Sequence, residues 1–201
     1  MFKKLFITLE GIEGVGKTTQ VNLLCDYFKK LGINFISTRE PGGLPISESI
    51  RSILLNKEMS SLTELLLYEA ARAEHFDKII SPALNNGQSV ICDRFTDASV
   101  AYQGYGRGLD IKLINQLNSI ATRGIEPDLT FIIDLPVPLA FKRLETRKTT
   151  PDRFEKLSHD FYEKVRQGYI DQSKKHPKRV FIIDANRTPQ EIHKDIVSKI
   201  P

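Results

Sequence analysis

The sequence has little cysteine and no long apolar run. Its two cysteines, Cys25 and Cys92, both lie in apolar stretches, so we expect free thiols in a reducing compartment and no disulfide framework. No apolar run approaches the length that crosses a bilayer, and the first residues do not form the apolar core of a signal peptide. These absences predict a cytoplasmic protein with no membrane partner.

Charge of one sign is not concentrated in any part of the chain. The 29 basic and 25 acidic residues are interspersed, which leaves a net charge of +4. The tightest basic cluster, from Lys174 to Arg179, lies where a helix should end, and cations are favourable at that end of a helix dipole. We therefore expect no nucleic-acid partner, whereas a small basic excess is typical of an enzyme that binds polyanionic substrates.

The 201 residues fit a single domain of α/β class. Strand-like apolar runs alternate with helical segments, which predicts a mostly parallel sheet covered by helices on both faces. A polar segment with a proline, Arg147–Arg153, is predicted to be a mobile loop. The expected strands are Leu5–Leu9, Asn34–Thr38, Ser89–Cys92, Leu129–Leu135 and Arg179–Asp184. The expected helices are Lys17–Leu31, Ile46–Asn56, Ser60–Asn85, Asp110–Thr122, Pro136–Thr146, Phe154–Lys175 and Pro189–Ile200.

A phosphate-binding loop is the strongest motif in the chain. Residues Gly11–Thr18 read GIEGVGKT and match G-x-x-x-x-G-K-[ST], with a predicted strand before them and a helix after them. The glycines allow the backbone to turn its N–H groups onto phosphate oxygens, and the helix N-terminus adds a favourable dipole. Lys17 would neutralise the β- and γ-phosphates, and the Thr18 hydroxyl can ligate Mg²⁺. An ordinary glycine turn does not need this Lys-Thr pair.

The loop identifies a nucleotide site but not a reaction, because GTPases, ATPases and small-molecule kinases share it. The segment Asn56–Met59 is not the guanine-binding Asn-Lys-x-Asp motif. The third predicted strand is followed at once by Asp93-Arg94, where the acid could hold Mg²⁺ through water and the base could meet a phosphate. A surface ion pair or a helix cap is the alternative for these two residues.

Two further features concern an acceptor molecule. Tyr68 and Arg72 are four residues apart on a predicted helix, so they share a face, and an aromatic plane beside a guanidinium fork could hold a base and its phosphate. Core packing and a solvated helix face are the alternatives. Gly104, Gly106 and Gly108 could form a phosphate nest, although a flexible loop is favoured.

Together these motifs resemble those of thymidylate kinases, in the order of that family and across nearly the whole chain. Besides the phosphate loop within EGIEGVGKTTQ, the resemblance rests on TREPGG, YEAARAEH, DRF followed by AYQG, PDLTFIID and DRFE. These segments are Glu10–Gln20, Thr38–Gly43, Tyr68–His75, Asp93–Phe95, Ala101–Gly104, Pro127–Asp134 and Asp152–Glu155.

The resemblance implies an ATP-dependent kinase that converts dTMP to dTDP with Mg²⁺ and forms a homodimer. It also implies the P-loop NTPase fold, with a five-stranded parallel sheet, in one nucleoside monophosphate kinase domain over 1–201 with a lid at about 143–154. The residues that it assigns to ATP are Gly11, Ile12, Glu13, Gly14, Val15, Gly16, Lys17, Thr18, Thr19 and Arg143. Those that it assigns to dTMP are Glu13, Arg39, Arg51, Tyr68, Arg72, Arg94, Ser99, Tyr102 and Gln103.

The resemblance also suggests which groups act during transfer. Because Val15 replaces an arginine that some members carry in the loop, the bacterial type is implied, in which arginines of the lid neutralise the γ-phosphate. Leu44 and Phe95 depart from the commoner residues and concern the fit alone. The catalytic candidates are Lys17, Arg94, Arg147, Arg153 and Glu13, and the metal candidates are Thr18 and, through water, Asp93.

Two other functions stay open at this point. A kinase could act on another acceptor, such as a deoxynucleoside, a different monophosphate or shikimate. A phosphate-loop protein could also be a slow switch that acts through partners, although the missing guanine motif and the acceptor-side arginines argue against it.

Overall fold

A computed structural model describes residues 3–146 and 153–201. Within them, five parallel strands form one sheet in the order β2-β3-β1-β4-β5. The first strand lies in the middle, so its carboxyl end opens between two neighbours. The strands are β1 (Phe6–Glu10), β2 (Phe35–Arg39), β3 (Ser89–Asp93), β4 (Leu129–Asp134) and β5 (Val180–Asp184).

Helices cover both faces of this sheet. Two π-helical segments, Phe76–Ile80 and Val100–Gly106, each continue a regular helix that precedes them. The regular helices are α1 (Lys17–Lys30), α2 (Pro45–Asn56), α3 (Ser61–His75), α4 (Ser81–Asn85), α5 (Thr96–Ser99), α6 (Ile111–Thr122), α7 (Val137–Glu145), α8 (His159–Lys175) and α9 (Pro189–Val197).

The core lies on both sides of the sheet because successive strand residues point to opposite faces. Ile7 and Leu9 pack in the larger apolar cluster, whereas Phe6 packs in a second cluster with Val90 and Cys92. Burial on both faces is why the strands read as continuous apolar runs, and the predicted parallel sheet is confirmed. Cys25 and Cys92 are both buried free thiols.

Two predicted helices depart from the structure more than the others do. The expected helix Ser60–Asn85 is divided by the π-helical segment Phe76–Ile80. The expected helix Phe154–Lys175 begins only at His159, because the Ser158 side chain accepts a hydrogen bond from the Phe161 N–H and caps the helix there.

The expected flexible loop at Gly104 and Gly106 is wrong. Both residues lie in the helical segment that runs on from Thr96 to Gly106. A Cβ added at Gly106 would lie 2.7 Å from the Phe161 ring, and one added at Gly168 would lie 2.9 Å from the Tyr105 ring. These glycines therefore serve the close approach of this segment to α8.

The predicted mobile loop Arg147–Arg153 lies outside the described residues except at Arg153. In the two described stretches, no helix is both long and apolar enough to cross a membrane.

Candidate active site

A cavity of about 360 Å³ opens at the carboxyl edge of the sheet. The phosphate loop after β1, the end of β3 and the face of α3 meet there, because parallel strands end at a common edge. Most of the predicted site residues line it: Glu13, Gly14, Gly16, Lys17, Thr18, Thr19, Arg39, Arg51, Tyr68, Arg72, Asp93, Arg94, Ser99, Tyr102 and Gln103.

The phosphate loop is shaped by its glycines and closed by its lysine. Gly14 has a φ of +77°, and a Cβ there would clash with the carbonyl oxygen of Ala140. Lys17 Nζ donates to the carbonyl oxygens of Gly11 at 2.9 Å and Ile12 at 2.7 Å, so its ammonium spans the loop. Burial, together with the nearby Arg94 charge, lowers the pKa of Lys17 to about 8. Gly11, Ile12 and Val15 form the buried base of the loop and do not line the cavity.

Arg94 lies at the centre of the cavity wall in a left-handed conformation, with a φ of +67°. Its Nη2 donates to Glu13 Oε1 at 2.7 Å, and its guanidinium lies 5.7 Å from the centre of the Tyr102 ring. The Tyr102 hydroxyl donates to the other Glu13 oxygen at 2.6 Å. Burial alone would raise the pKa of Glu13, but the charges of Arg94 and Lys17 outweigh the effect of burial, so the pKa of Glu13 is lowered. The loop, β3 and the segment after β3 are thereby tied together.

A buried glutamate supports the turn that carries Arg94. Glu10 Oε1 accepts the Phe95 N–H at 2.7 Å, and Oε2 accepts the Tyr169 hydroxyl at 2.9 Å. Burial and the nearby Asp97 charge raise the pKa of Glu10 to about 8. A strained residue at a functional site persists where neighbouring contacts hold its backbone, as Glu10 does here.

Arg72 reaches the cavity from α3, and its side chain is only 2% exposed. It pairs with Glu40 at 2.8 Å and Glu69 at 2.6 Å, and these carboxylates raise the pKa of Arg72 despite the opposing effect of burial. Glu40 also contacts His75 at 2.9 Å. The guanidinium makes further bonds to Ser99 Oγ, Asn118 Oδ1 and the Phe95 carbonyl oxygen. Arg72 is therefore fixed in place by the protein before any ligand binds.

Tyr68 lies one helical turn before Arg72 and lines the same cavity, so the predicted shared face exists. Its ring is half-buried and meets the Phe154 ring edge-on at 6.3 Å. Gln103 also lines the cavity, and its Nε2 donates to Glu64 of α3 at 2.9 Å. An aromatic plane with one fixed arginine and one fixed amide can recognise a planar heterocycle.

Two more predicted arginines lie at the rim. Arg39 is exposed and pairs with Glu48 at 2.6 Å. Arg51 Nη1 donates to the carbonyl oxygen of Pro41 at 3.1 Å. Both side chains keep contact with the cavity, which leaves them available to an anion that enters it.

The predicted lid arginines are not gathered at the cavity. Arg143 Nη2 donates to the Ala185 carbonyl oxygen at 3.0 Å, and Arg153 Nη2 pairs with Glu64 at 2.7 Å. Neither lines the cavity, and Arg147 lies outside the described residues. Their role toward a γ-phosphate stays a prediction.

The residues present fit a magnesium ion. Asp93 Oδ1 is buried and has no hydrogen-bond partner within residues 3–146 and 153–201, which is unusual for a carboxylate oxygen. Thr18 lies exposed in the first turn of α1 and lines the same cavity. One carboxylate and one hydroxyl are a typical partial ligand set for Mg²⁺, which keeps water and phosphate oxygens as its other ligands.

Some lining residues were not predicted from the sequence. Glu40 lies within the TREPGG segment. Its place beside the predicted site residue Arg39 could have indicated that it lines the site. Leu55 and Ala98 are small or apolar residues on helices, which no pattern distinguishes from core. The remaining additions are Pro41, Phe154 and Glu155.

Comparison with known proteins agrees with this geometry. A family model described as thymidylate kinase matches residues 9–196. The thymidylate kinase of Geotalea uraniireducens (strain Rf4) is 47% identical over 97% of this chain and 95% of its own length. That of Sulfurihydrogenibium sp. (strain YO3AOP1) is 46% identical, over 97% of this chain and 96% of its own.

Among solved structures, the thymidylate kinase of Ehrlichia chaffeensis is 40% identical to this chain, with a TM-score of 0.81. The likeness covers 98% of this chain and 99% of that one, and the five-stranded parallel sheet has the P-loop NTPase fold. The chain belongs to the thymidylate kinase family.

Proposed function

We propose that this cavity is where the chain, as an ATP-dependent phosphotransferase, converts dTMP to dTDP, a step of nucleotide biosynthesis. The observation that carries the assignment is that one cavity holds both a phosphate loop and an acceptor wall. Lys17 of the loop and Arg94 of the turn after β3 line it together with Tyr68 and Arg72 of α3. A nucleotide hydrolase or switch does not need this second set of groups.

On the donor side, the loop would hold the ATP phosphates. The backbone N–H groups of Gly11–Gly16 and the N-terminus of α1 offer donors and a favourable dipole, and Lys17 adds a charge. Thr19 lies beside Thr18 at the start of α1. The assignment of Arg143, at the end of α7, to ATP rests on the resemblance alone, since its guanidinium bonds the Ala185 carbonyl oxygen and does not line the cavity.

On the acceptor side, the groups divide by chemistry. Tyr68 offers its ring to the pyrimidine face, and Ser99, Tyr102 and Gln103 surround the base and sugar. Glu13, which belongs to the phosphate loop and bonds Tyr102, would lie near the sugar. The arginines that would meet the acceptor phosphate are Arg39, Arg51, Arg72 and Arg94, with Arg94 nearest to the donor loop.

The chain's own part in the reaction is to position charges. The acceptor phosphate is already an anion at neutral pH, so its attack needs no general base. Two unit charges 4 Å apart at an effective dielectric constant near 20 repel by about 4 kcal/mol, and Lys17 and Arg94 offset this repulsion. Thr18 and, through water, Asp93 would hold Mg²⁺, which neutralises phosphate charge when bound.

Dimer formation is supported by an exposed apolar face. Leu62 and Leu66 of α3 are about half exposed, at 47% and 49%. The exposed Leu113 lies on α6 and the exposed Ile53 on α2, and both of these helices pack against α3. A second copy would cover this face. We place the whole domain, 1–201, in the cytoplasm as a homodimer.

Coupled measurement of ADP release with a panel of acceptors tests the function. We expect release to depend on dTMP, to be slower with dUMP and to be absent with purine monophosphates. Release without any acceptor would favour a switch protein, and preference for shikimate or a deoxynucleoside would favour another kinase.

A further inference from the structure

Glu64 is a buried carboxylate that accepts hydrogen bonds from three side chains. It lies on α3, its side chain is 1% exposed, and it does not line the cavity. Its Oε1 accepts from Gln103 Nε2 at 2.9 Å. Its Oε2 accepts from Arg107 Nη2 at 3.0 Å and from Arg153 Nη2 at 2.7 Å. Two guanidinium groups therefore compensate the charge, and one amide is held by it.

The contact with Gln103 has a chemical direction. An ionised carboxylate only accepts hydrogen bonds, whereas an amide has a donating and an accepting end. Glu64 must therefore hold the nitrogen of Gln103, and the carbonyl oxygen is the group that Gln103 can offer to the cavity. Gln103 is 2% exposed, so water does not replace Glu64 as the partner of its nitrogen. We propose that Glu64 is a positioning residue that fixes Gln103 as a hydrogen-bond acceptor toward the acceptor base.

An accepting group at this place distinguishes pyrimidines. Thymine and uracil carry an N3–H donor, whereas the N3 of cytosine is an acceptor. With the phosphate at Arg94 and the ring on Tyr68, cytosine in the same orientation would face the Gln103 oxygen with a lone pair. The inference rests on the proposed acceptor side of the cavity. It adds Glu64 as the residue that makes Gln103 a hydrogen-bond acceptor there.

Glu64 also holds Arg153. The Arg153 Nε also donates to the Leu54 carbonyl oxygen at 2.9 Å, and its guanidinium lies 4.7 Å from the centre of the Phe154 ring. Loss of the Glu64 charge would loosen this anchor as well as Gln103. That loosening would slow the reaction of every acceptor alike, so it cancels in a ratio of two acceptors.

The test is the ratio of kcat/KM for dTMP to kcat/KM for dCMP in Glu64→Gln. The new amide can donate or accept, so Gln103 is free to reverse. We expect the ratio to fall by about ten- to a hundred-fold, the usual effect of a mismatched buried hydrogen bond. Asp97→Asn is the matched control, because Asp97 is equally buried and pairs with Arg179 at 2.8 Å away from this cavity. It should lose comparable thermal stability and keep the wild-type ratio.

Gln103→Leu provides a test that does not depend on the folding of Glu64→Gln, since it leaves every charge in place. The ratio of kcat/KM for dTMP to that for dCMP should fall to a similar extent in Gln103→Leu. In the double variant, the addition of Glu64→Gln should lower this ratio no further. An unchanged ratio in Gln103→Leu, or in folded Glu64→Gln, overturns the inference. Failure of the wild type to phosphorylate dTMP would instead refute the proposed function.

Discussion

Removal of the Arg94 side chain is the sharpest test of the active-site assignment. Arg94 is held in the cavity wall by Glu13 at 2.7 Å and by the Tyr102 hydroxyl at 3.3 Å. Its backbone lies in the left-handed region, at a φ of +67°. Arg94→Ala deletes the guanidinium, and Arg94→Gly deletes it while also relieving the backbone.

The expected loss of activity follows from the number of charged hydrogen bonds. A bidentate contact between Arg94 and a phosphate comprises two such bonds, each contributing about 1.5 to 3 kcal/mol. Their loss in the transition state lowers kcat/KM by about 10² to 10⁴-fold. Arg94→Lys keeps one charge but not the fork and should lie between these limits and the wild type.

The two deletions should differ in stability although they share the loss of activity. A left-handed conformation is unfavourable by about 1 to 2 kcal/mol for a residue with a Cβ. Arg94→Gly should therefore unfold at higher urea concentration than Arg94→Ala, by about 1 kcal/mol in the free energy of unfolding. Steady-state kinetics with dTMP and urea unfolding followed by circular dichroism measure both quantities.

Near-normal turnover of folded Arg94→Ala would refute the assignment of Arg94 to the phosphates. Equal stability of the alanine and glycine variants would instead show that the turn after β3 is not strained. The two outcomes are independent, because one reports the guanidinium and the other reports the backbone.

Three further predictions concern the loop, the packing of α8 and the assembly. The Lys17 cation is present below its pKa of about 8 and is lost as the pH rises through it, so calorimetric affinity for ATP should weaken across that range in the wild type but not in Lys17→Met. Gly106→Ala should lower the free energy of unfolding by about 1 to 3 kcal/mol, because its Cβ would lie 2.7 Å from the Phe161 side chain of α8. Gly104→Ala, whose Cβ would have its nearest neighbour at 3.3 Å, should lower it less. Equal melting curves for the two variants would contradict this prediction. Leu66→Glu should shift the mass measured by light scattering from dimer to monomer, with Leu139→Glu on α7 as the control that stays dimeric, and a dimeric Leu66→Glu would exclude α3 from the interface.

The sheet and the phosphate loop were predictable because local sequence determines them. Strands buried on both faces leave continuous apolar runs, and the loop needs glycines at positions such as Gly14, where a Cβ would clash. The spacing of Tyr68 and Arg72 likewise gave their shared face. Each of these features depends on residues close together in the chain.

The features that escaped prediction depend on distant partners. The position of Arg72 is set by Glu40, Ser99 and Asn118, which come from three other parts of the chain. The helical form of Gly104 and Gly106 follows from their contact with other helices, which outweighs the weak helix propensity of glycine. No periodicity within one segment carries that information.

The central claim is that one cavity brings ATP and dTMP together for direct transfer without a covalent protein intermediate. The most direct test is the stereochemical course of transfer of an isotopically chiral thiophosphoryl group from the γ-position of an ATP analogue to dTMP. A single in-line displacement predicts inversion of configuration at phosphorus. Retention would require two displacements, and would contradict the assignment of Lys17 and Arg94 to a shared donor–acceptor site.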